Sequence, residues 1–258
     1  MGNRRYEGAS VLISGAGRGF GRLAAERFAA EGARLALTDI LEKELEETAA
    51  AVSALGTQAV TLAGDITEEA LVQRLVGEAV SRFGRLDVAI NNAGIVHPFR
   101  KFTAIDAGTV DRVVRTDLVA IFQAMKHELL QMEAQRSGAI LNVSSVAGIA
   151  GAPLLAVYSA AKHGVIGLTK SAALEYARFG IRINAICPSF AATPMVTEGL
   201  GTMHGTPEEA TARMTAAIPM RRLAEPGEVV QAMLWICSPE NSFMTGHALA
   251  IDGGLTAI

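Results

Sequence analysis

The sequence predicts a doubly wound α/β fold: a seven-stranded parallel sheet flanked by helices. Three observations point to it. Seven short aliphatic runs recur along the chain, at residues 11–14, 34–39, 58–63, 87–90, 138–144, 181–186 and 247–252. They are nearly continuous in Val, Ile, Leu and Ala, without the polar alternation of a half-exposed strand, which suits strands buried on both faces. Longer amphipathic segments separate them. Phe20, Leu23, Ala24 and Phe28 form one helical stripe and Leu71, Leu75, Val76 and Ala79 another. Half the residues are hydrophobic but only 5% are aromatic, so the core is aliphatic and sizeable and the chain folds. Strand alternating with helix is the pattern of a parallel sheet wound on both sides.

Taken in order, the elements carry local signals of their own. The first run passes into Ser14-Gly15-Ala16-Gly17-Arg18-Gly19-Phe20-Gly21 and opens a helix near Phe20. Glycines permit a tight strand-to-helix turn, and the unpaired N–H groups of a helix start favour an anion such as phosphate. A tight turn without a ligand is the alternative. A P-loop would need Gly-Lys-Ser/Thr where this chain has Gly21-Arg22-Leu23, which disfavours ATP hydrolysis. The second run ends on Asp39, slightly beyond the ~20-residue offset at which a carboxylate binds the ribose hydroxyls of a dinucleotide. After the third run, Asp65-Ile66-Thr67-Glu68 has the residues of a helix capping box. The fourth run leads into Asn91-Asn92-Ala93-Gly94, the fifth into Ser144-Ser145, and the sixth into Pro188. Residues 189–225 break the rhythm, and their glycines and four methionines suggest a lid over a pliable apolar pocket, or else two ordinary helices whose methionines fill core gaps. No Pro/Ser-rich linker or repeat divides the chain, so 1–258 is expected to be one domain.

Charge and targeting signals narrow the function. With 23 Lys and Arg against 26 Asp and Glu, net −3, there is no basic footprint for nucleic acid or an anionic membrane. Cys187 and Cys237 are far apart and no His cluster accompanies them, so neither a disulfide framework nor a zinc site is expected. The start shows no signal peptide, Tyr6 stands where a myristoylation signal wants Ser or Thr, and no apolar run reaches the ~18 residues of a spanning helix. A soluble, cytoplasmic protein acting on a small molecule is the expectation.

The glycine stretch resembles the cofactor motif of the short-chain dehydrogenase/reductase family. Asn91-Asn92-Ala93-Gly94 resembles the family's second signature, Tyr158-Ser159-Ala160-Ala161-Lys162 its catalytic one, Pro188 through Pro194-Met195 a downstream segment, and Ile251-Asp252-Gly253-Gly254 its closing strand. The resemblance runs nearly end to end and implies a single-domain Rossmann fold, nicotinamide-dependent oxidation of alcohols and a homotetramer that pairs the helices expected at about 108–135 and 157–179. It implies cofactor contacts from Gly15, Gly17, Arg18, Gly19, Phe20, Gly21, Asp39, Asp65, Ile66, Asn92, Ala93, Gly94, Tyr158, Lys162, Pro188 and Thr193. Asn91 instead has the position to tie strands together, and Ser189 departs from the family's glycine.

Tyr158 and Lys162 lie one helical turn apart, on one face. A phenol is a poor base at neutral pH, but an ammonium about 4 Å away contributes ~4 kcal/mol at an effective dielectric near 20, enough to bring it towards 7. Ser145, at the family's spacing before the tyrosine, is expected to hydrogen-bond the substrate oxygen, while Ser144 serves the turn. Asp117 stands where the family has an asparagine whose backbone carbonyl holds a water leading to the lysine. His97 and His204 have acid/base chemistry but no visible partner, and are read as loop residues. Arg18 favours the 2′-phosphate of NADP whereas Asp39 repels it; the acid is expected to win, giving NAD preference, with Arg18 accommodated by Asp39 or by solvent. Two alternatives stay open: an NADPH-dependent 3-oxoacyl thioester reductase, and a non-catalytic nucleotide-binding regulator.

Overall fold

Seven parallel strands form one sheet in the order β3-β2-β1-β4-β5-β6-β7. The computed structural model describes residues 4–200 and 206–257. The strands are β1 (Ser10–Ser14), β2 (Arg34–Asp39), β3 (Ala59–Ala63), β4 (Val88–Asn91), β5 (Gly138–Val143), β6 (Ile181–Pro188) and β7 (Ala248–Ile251). Each expected strand is present, with its ends moved by two residues at most. The order turns between β1 and β4, and there the sheet opens a crevice at its carboxyl edge.

Alternation along the strands divides the core in two. On one face Val11, Ile13, Leu35, Leu37, Ile90 and Leu141 pack with Phe28 of α1 (Gly19–Ala30), Leu45 and Val52 of α2 (Glu42–Ala54) and Met233 of α9 (Pro226–Cys237). On the other, Leu12, Ala36, Ala89 and Ile140 meet α3 (Glu69–Phe83), α5 (Ala120–Gln135) and α6 (Ala156–Tyr176) through Leu75, Met125, Leu129 and Val165. Each such side chain, fully buried, contributes about 1.5–3 kcal/mol relative to exposure. The strands are aliphatic on both faces because both are covered.

Helix ends are fixed by residues readable in sequence. Thr206 and Glu209 form a reciprocal capping box at the start of α8 (Pro207–Ala217), and Glu225 with Glu228 does the same for α9. At the far end of α9 the Arg182 guanidinium donates to the carbonyls of Ile236, Cys237 and Ser238 at 3.0–3.1 Å, satisfying acceptors the helix itself leaves open.

The helix expected from about 108 is α4 (Ala107–Val114) followed by a π-helical turn, Arg115–Val119, before α5. The described residues of 189–225 include two short helices, α7 (Pro194–Leu200) and α8. Met214 fills a small satellite core with Ala210, Phe99, Phe190, Val196 and Leu223, whereas Met195 and Met220 are exposed. Met203, His204, Gly201 and Gly205 lie outside the described residues. Among the described residues no helix is long and apolar enough to cross a membrane and no cluster of His, Cys, Asp or Glu could hold a metal.

A buried polar chain runs beneath the crevice. Asn91 donates to Asn142 Oδ1 (3.0 Å) and Glu128 Oε2 (3.1 Å), and Asn142 donates to Thr169 Oγ1 (2.9 Å). Asn91 thus ties β4 to β5 and to α5, as its sequence position suggests. Glu128 is fully buried, and burial pushes its carboxyl up to about 7 although the Asn91 amide opposes this. The folded state therefore holds a proton that the unfolded chain releases near 4.5. Its stabilisation is present below that value and is lost as pH rises through about 7. In urea titrations between about pH 5 and 8 the stability is expected to fall by roughly 2–3 kcal/mol, and Glu128→Gln is expected to remove most of that slope. A wild-type stability independent of pH across this window would show that Glu128 titrates normally.

Candidate active site

The loop after β1 is built around the amide of Asn92. Its Nδ2 donates to the carbonyls of Ser14 and Gly15, each at 3.0 Å, while Ser14 Oγ accepts the N–H groups of Asn92 and Ala93 at 3.1 Å. This seals the β1–β4 crevice from below. Gly15 takes a left-handed φ of +65°, and a Cβ on Gly21 would stand 1.9 Å from the Gly15 carbonyl oxygen, so the loop closes this tightly only with glycine at both places. Asn92 is therefore a builder of the loop as well as a residue beside it. Arg18, the N-cap of α1, makes no side-chain cap hydrogen bond to the helix. The first turn of α1 carries no acidic residue, which suits its open N–H groups to a dinucleotide pyrophosphate.

Asp39, at the carboxyl end of β2, accepts the Gly17 N–H at 2.8 Å and the Leu41 N–H at 2.9 Å. That holds one carboxylate at the rim of the glycine loop. Asp65, one strand further out, is exposed and accepts the Thr67 N–H at 2.8 Å in an Asx turn; with Ile66 it borders the same edge. The capping box suggested by its neighbours does not form, because the N-cap of α3 is Glu68, which makes no side-chain cap hydrogen bond.

Arg18 corrects an expectation. Its Nη1 lies 2.9 Å and 3.3 Å from the two carboxylate oxygens of Glu198 on α7, so the guanidinium is taken by the far side of the cleft and not by Asp39 or solvent alone. Glu198 was missed in the sequence. Its signal is that it is the one charged residue between 189 and 206.

Across the crevice, Ser145 follows β5 and caps a 3-10 turn by accepting the Ala147 N–H at 3.1 Å. Ser159 Oγ donates to Ala147 O at 2.7 Å, fixing the start of α6 against that turn and with it Tyr158. The Ser145 hydroxyl is close enough to the phenol of Tyr158 to oppose the rise of its pKa. Ser144 does structural work, donating to the Lys162 carbonyl at 2.9 Å. Lys162 is buried. Its Nζ donates to Val143 O at 3.1 Å, lies 3.4 Å from Asp117 Oδ2 and stands 5.5 Å from the centre of the Tyr158 ring. Asp117, fully buried in the π-helical turn, accepts the Ile95 N–H at 2.8 Å through its other oxygen. Gly94 presses against both groups: a Cβ there would be 3.3 Å from Lys162 Nζ. The Asp117 carboxylate therefore reaches the lysine directly.

Electrostatics overturn the expected pKa of Tyr158. Burial raises it, Lys162 and the Ser145 hydroxyl pull it down, Asp117 pushes it up, and the net direction is upward. Two reasons are geometric: the ammonium is shared with Asp117, and Tyr158 is partly buried at the start of α6. Lys162 itself is pulled down by burial but raised overall by Asp117 and Tyr158, so it stays charged. Burial likewise raises Asp117 against the opposing effect of Lys162. At neutral pH Tyr158 is a proton donor, the state that reduction of a carbonyl requires.

Remaining candidates sit at the rim. Pro188 ends β6, and the Ser189 N–H donates to Ile251 O at 3.1 Å, so the departure from glycine leaves the pairing with β7 intact. Thr193 is buried just before α7, and the methyl-bearing carbon of its side chain lies near Gly19. His97 is a buried loop residue with Nδ1 2.8 Å from the Pro98 carbonyl oxygen. Cys187 and Cys237 are buried free thiols raised by burial to about 11 and about 12.

A switch-point crevice with a glycine loop, a rim carboxylate and a Ser-Tyr-Lys set defines a nicotinamide-dependent oxidoreductase of secondary alcohols and ketones. A family model described as enoyl-(acyl carrier protein) reductase matches residues 15–256. The chain is similar to a cis-4-hydroxycyclohexanecarboxylate dehydrogenase of Sinomonas cyclohexanicum, 40% identical with 96% of each chain covered. It is also similar to a 2,5-dichloro-2,5-cyclohexadiene-1,4-diol dehydrogenase of Sphingobium indicum, 36% identical over 97% of this chain and 98% of the relative. The crystal structure of a levodione reductase superposes with a TM-score of 0.95 at 37% identity, covering 98% of this chain and 99% of the other. Solved neighbours carry either cofactor: ElxO with NADP bound at 30% identity, covering 97% and 99%, and an NAD⁺-bound xylitol dehydrogenase at 32%, covering 96% and 99%, both with TM-scores of 0.90. The chain belongs to the short-chain dehydrogenase/reductase family.

Two outcomes test the site. Tyr158→Phe is expected to lower turnover by about 10² to 10⁴ with nicotinamide binding retained, since only the proton-transfer group is lost; stopped-flow turnover with a parallel binding titration decides it. Asp117→Asn keeps an acceptor for the Ile95 N–H but removes the charge that raises Tyr158. The limb of the oxidation pH profile set by the phenol should move to lower pH, while turnover changes less than about tenfold, under ~1.4 kcal/mol of barrier. An unmoved limb, or a hundredfold change, would show a different role.

Proposed function

We propose that the protein is an NAD-preferring dehydrogenase/reductase acting on a six-membered-ring secondary alcohol or ketone with a second polar substituent across the ring. The observation that carries the reading is the juxtaposition of Ser145, Tyr158 and Lys162 with the glycine loop at one sheet edge. Ser145 orients the substrate oxygen and Tyr158 gives or takes its proton. Lys162, positioned by Asp117, keeps a positive charge near the phenol and the nicotinamide ribose. The bound nicotinamide supplies or accepts the hydride. The ring preference is supported by the similarity to two dehydrogenases of six-membered rings substituted at positions 1 and 4. Phe190, Val196 and Met214 of the segment 189–225 pack with Phe99 into an apolar cluster, and we read that segment as a lid of a single domain spanning 1–258.

NAD preference is supported by Asp39, whose carboxylate at the end of β2 would lose hydrogen bonds to a ribose hydroxyl and face a second anion if the 2′-phosphate took its place. A homotetramer, in the cytoplasm, completes the reading. Its support is an apolar groove on α5 and α6 lined by Leu118, Phe122, Gly164, Gly167 and Leu168, flanked by exposed Leu174.

A panel of cyclic alcohols and diols with NAD at alkaline pH, read by absorbance of the reduced cofactor, is expected to show activity at least about tenfold above that of an acetoacetyl thioester reduced with NADPH. Faster thioester turnover would make it an acyl thioester reductase, and no turnover of either a nucleotide-binding regulator. NADH is expected to bind at least about tenfold more tightly than NADPH, roughly 1.4 kcal/mol. Light scattering at micromolar concentration is expected to return four times the chain mass; a monomer would sink the assembly.

A further inference from the structure

We propose that Glu198 is a cofactor-selectivity residue: by occupying the Arg18 guanidinium, it withholds from a 2′-phosphate the cation that would otherwise neutralise it. The proposal deepens the NAD reading and rests on it. Arg18 follows Gly17, whose N–H is bonded to the Asp39 carboxylate at 2.8 Å. The arginine therefore leaves the loop one residue from the group assigned to the ribose hydroxyls. Its guanidinium is not offered to that group but is held by Glu198, 180 residues away in sequence, with both carboxylate oxygens within 3.3 Å of one nitrogen. The contact is part of a wider seam between the loop and the base of α7. A Cβ on Gly19 would meet Pro194 Cδ at 3.8 Å and Thr193 Cβ at 3.9 Å.

Two consequences follow from charge alone. A phosphate beside Asp39 must share Arg18 with Glu198, whose carboxylate is bonded to Nη1, and it then stands near two carboxylates served by one guanidinium. A ribose hydroxyl asks for neither change, so NAD binds with the pair intact. The side chains are about half exposed, at 49% and 63%, and an exposed pair is weak. The effect should accordingly be a modest fraction of that exerted by Asp39.

The test uses the full chain without substrate and reads Kd for NADH and for NADPH by nicotinamide fluorescence. Wild type is compared with Glu198→Gln, Arg18→Ala and the double variant. In Glu198→Gln, NADPH binding is expected to tighten by about threefold or more, with NADH within about twofold. The gain should vanish in the double variant and shrink at high salt. An unchanged NADPH-to-NADH ratio in Glu198→Gln, or a gain that persists without Arg18, would overturn the proposal. Equal affinity of wild type for the two cofactors would instead sink the NAD reading, while the ratio between wild type and Glu198→Gln still reports on Glu198.

Discussion

The buried ammonium of Lys162 is the constraint around which the site is assembled. A charge removed from water is tolerated only where fixed partners replace the water, and each partner here comes from a different element. Val143 at the end of β5 offers its carbonyl, and Asp117 in the π-helical turn offers a carboxylate. The requirement then spreads. Asp117 needs its second oxygen satisfied and takes the Ile95 N–H, which pulls the segment after β4 over the lysine and requires Gly94 to pass within contact distance of it. Ser144 anchors the backbone of Lys162 itself. Two strand ends, the π-helical turn and α6 are thereby set by one cation.

The same segment after β4 is held on its other side by the glycine loop. Asn92 and Ala93 bond to Ser14 and Gly15, only two residues before Ile95 bonds to Asp117. The cofactor loop and the proton-transfer group are therefore not independent modules joined by the sheet. A shift of a few tenths of an ångström in the loop reaches Asp117 through four consecutive residues. Close-packed backbone gives little room for relaxation there.

Sequence made most of this legible where chemistry is local. The glycines, Asp39, Ser145, Tyr158 and Lys162 could be read because each belongs to a short pattern at the end of a strand or on one helical face. The strands could be read because burial on both sides leaves unmistakable aliphatic runs. What stayed hidden is pairing across long sequence separations. Arg18 gives no sign that Glu198 holds it. Glu128 does carry a signal, for it falls on the buried stripe of α5 with Ile121, Met125 and Met132, yet the partner that makes burial tolerable, Asn91, lies on another strand. The phenol of Tyr158 was misjudged for a related reason. Counting the nearest cation alone gives a lowered pKa, whereas burial and the anion behind the cation reverse the sign.

That reversal has a chemical reading. An asparagine at position 117 would leave the lysine charge unshared and draw the phenol towards its anion; an aspartate spends part of that field on itself. Proton donation to a ketone becomes the resting disposition of Tyr158, and removal of a proton from an alcohol needs help from elsewhere. Alkaline solution is one source. An oxidised nicotinamide, when bound, would be the other, because its positive charge would favour the phenolate in the state that oxidation requires. The protein groups around the phenol thus favour its neutral form, and a bound oxidised nicotinamide would supply the opposing positive charge that proton removal from an alcohol needs.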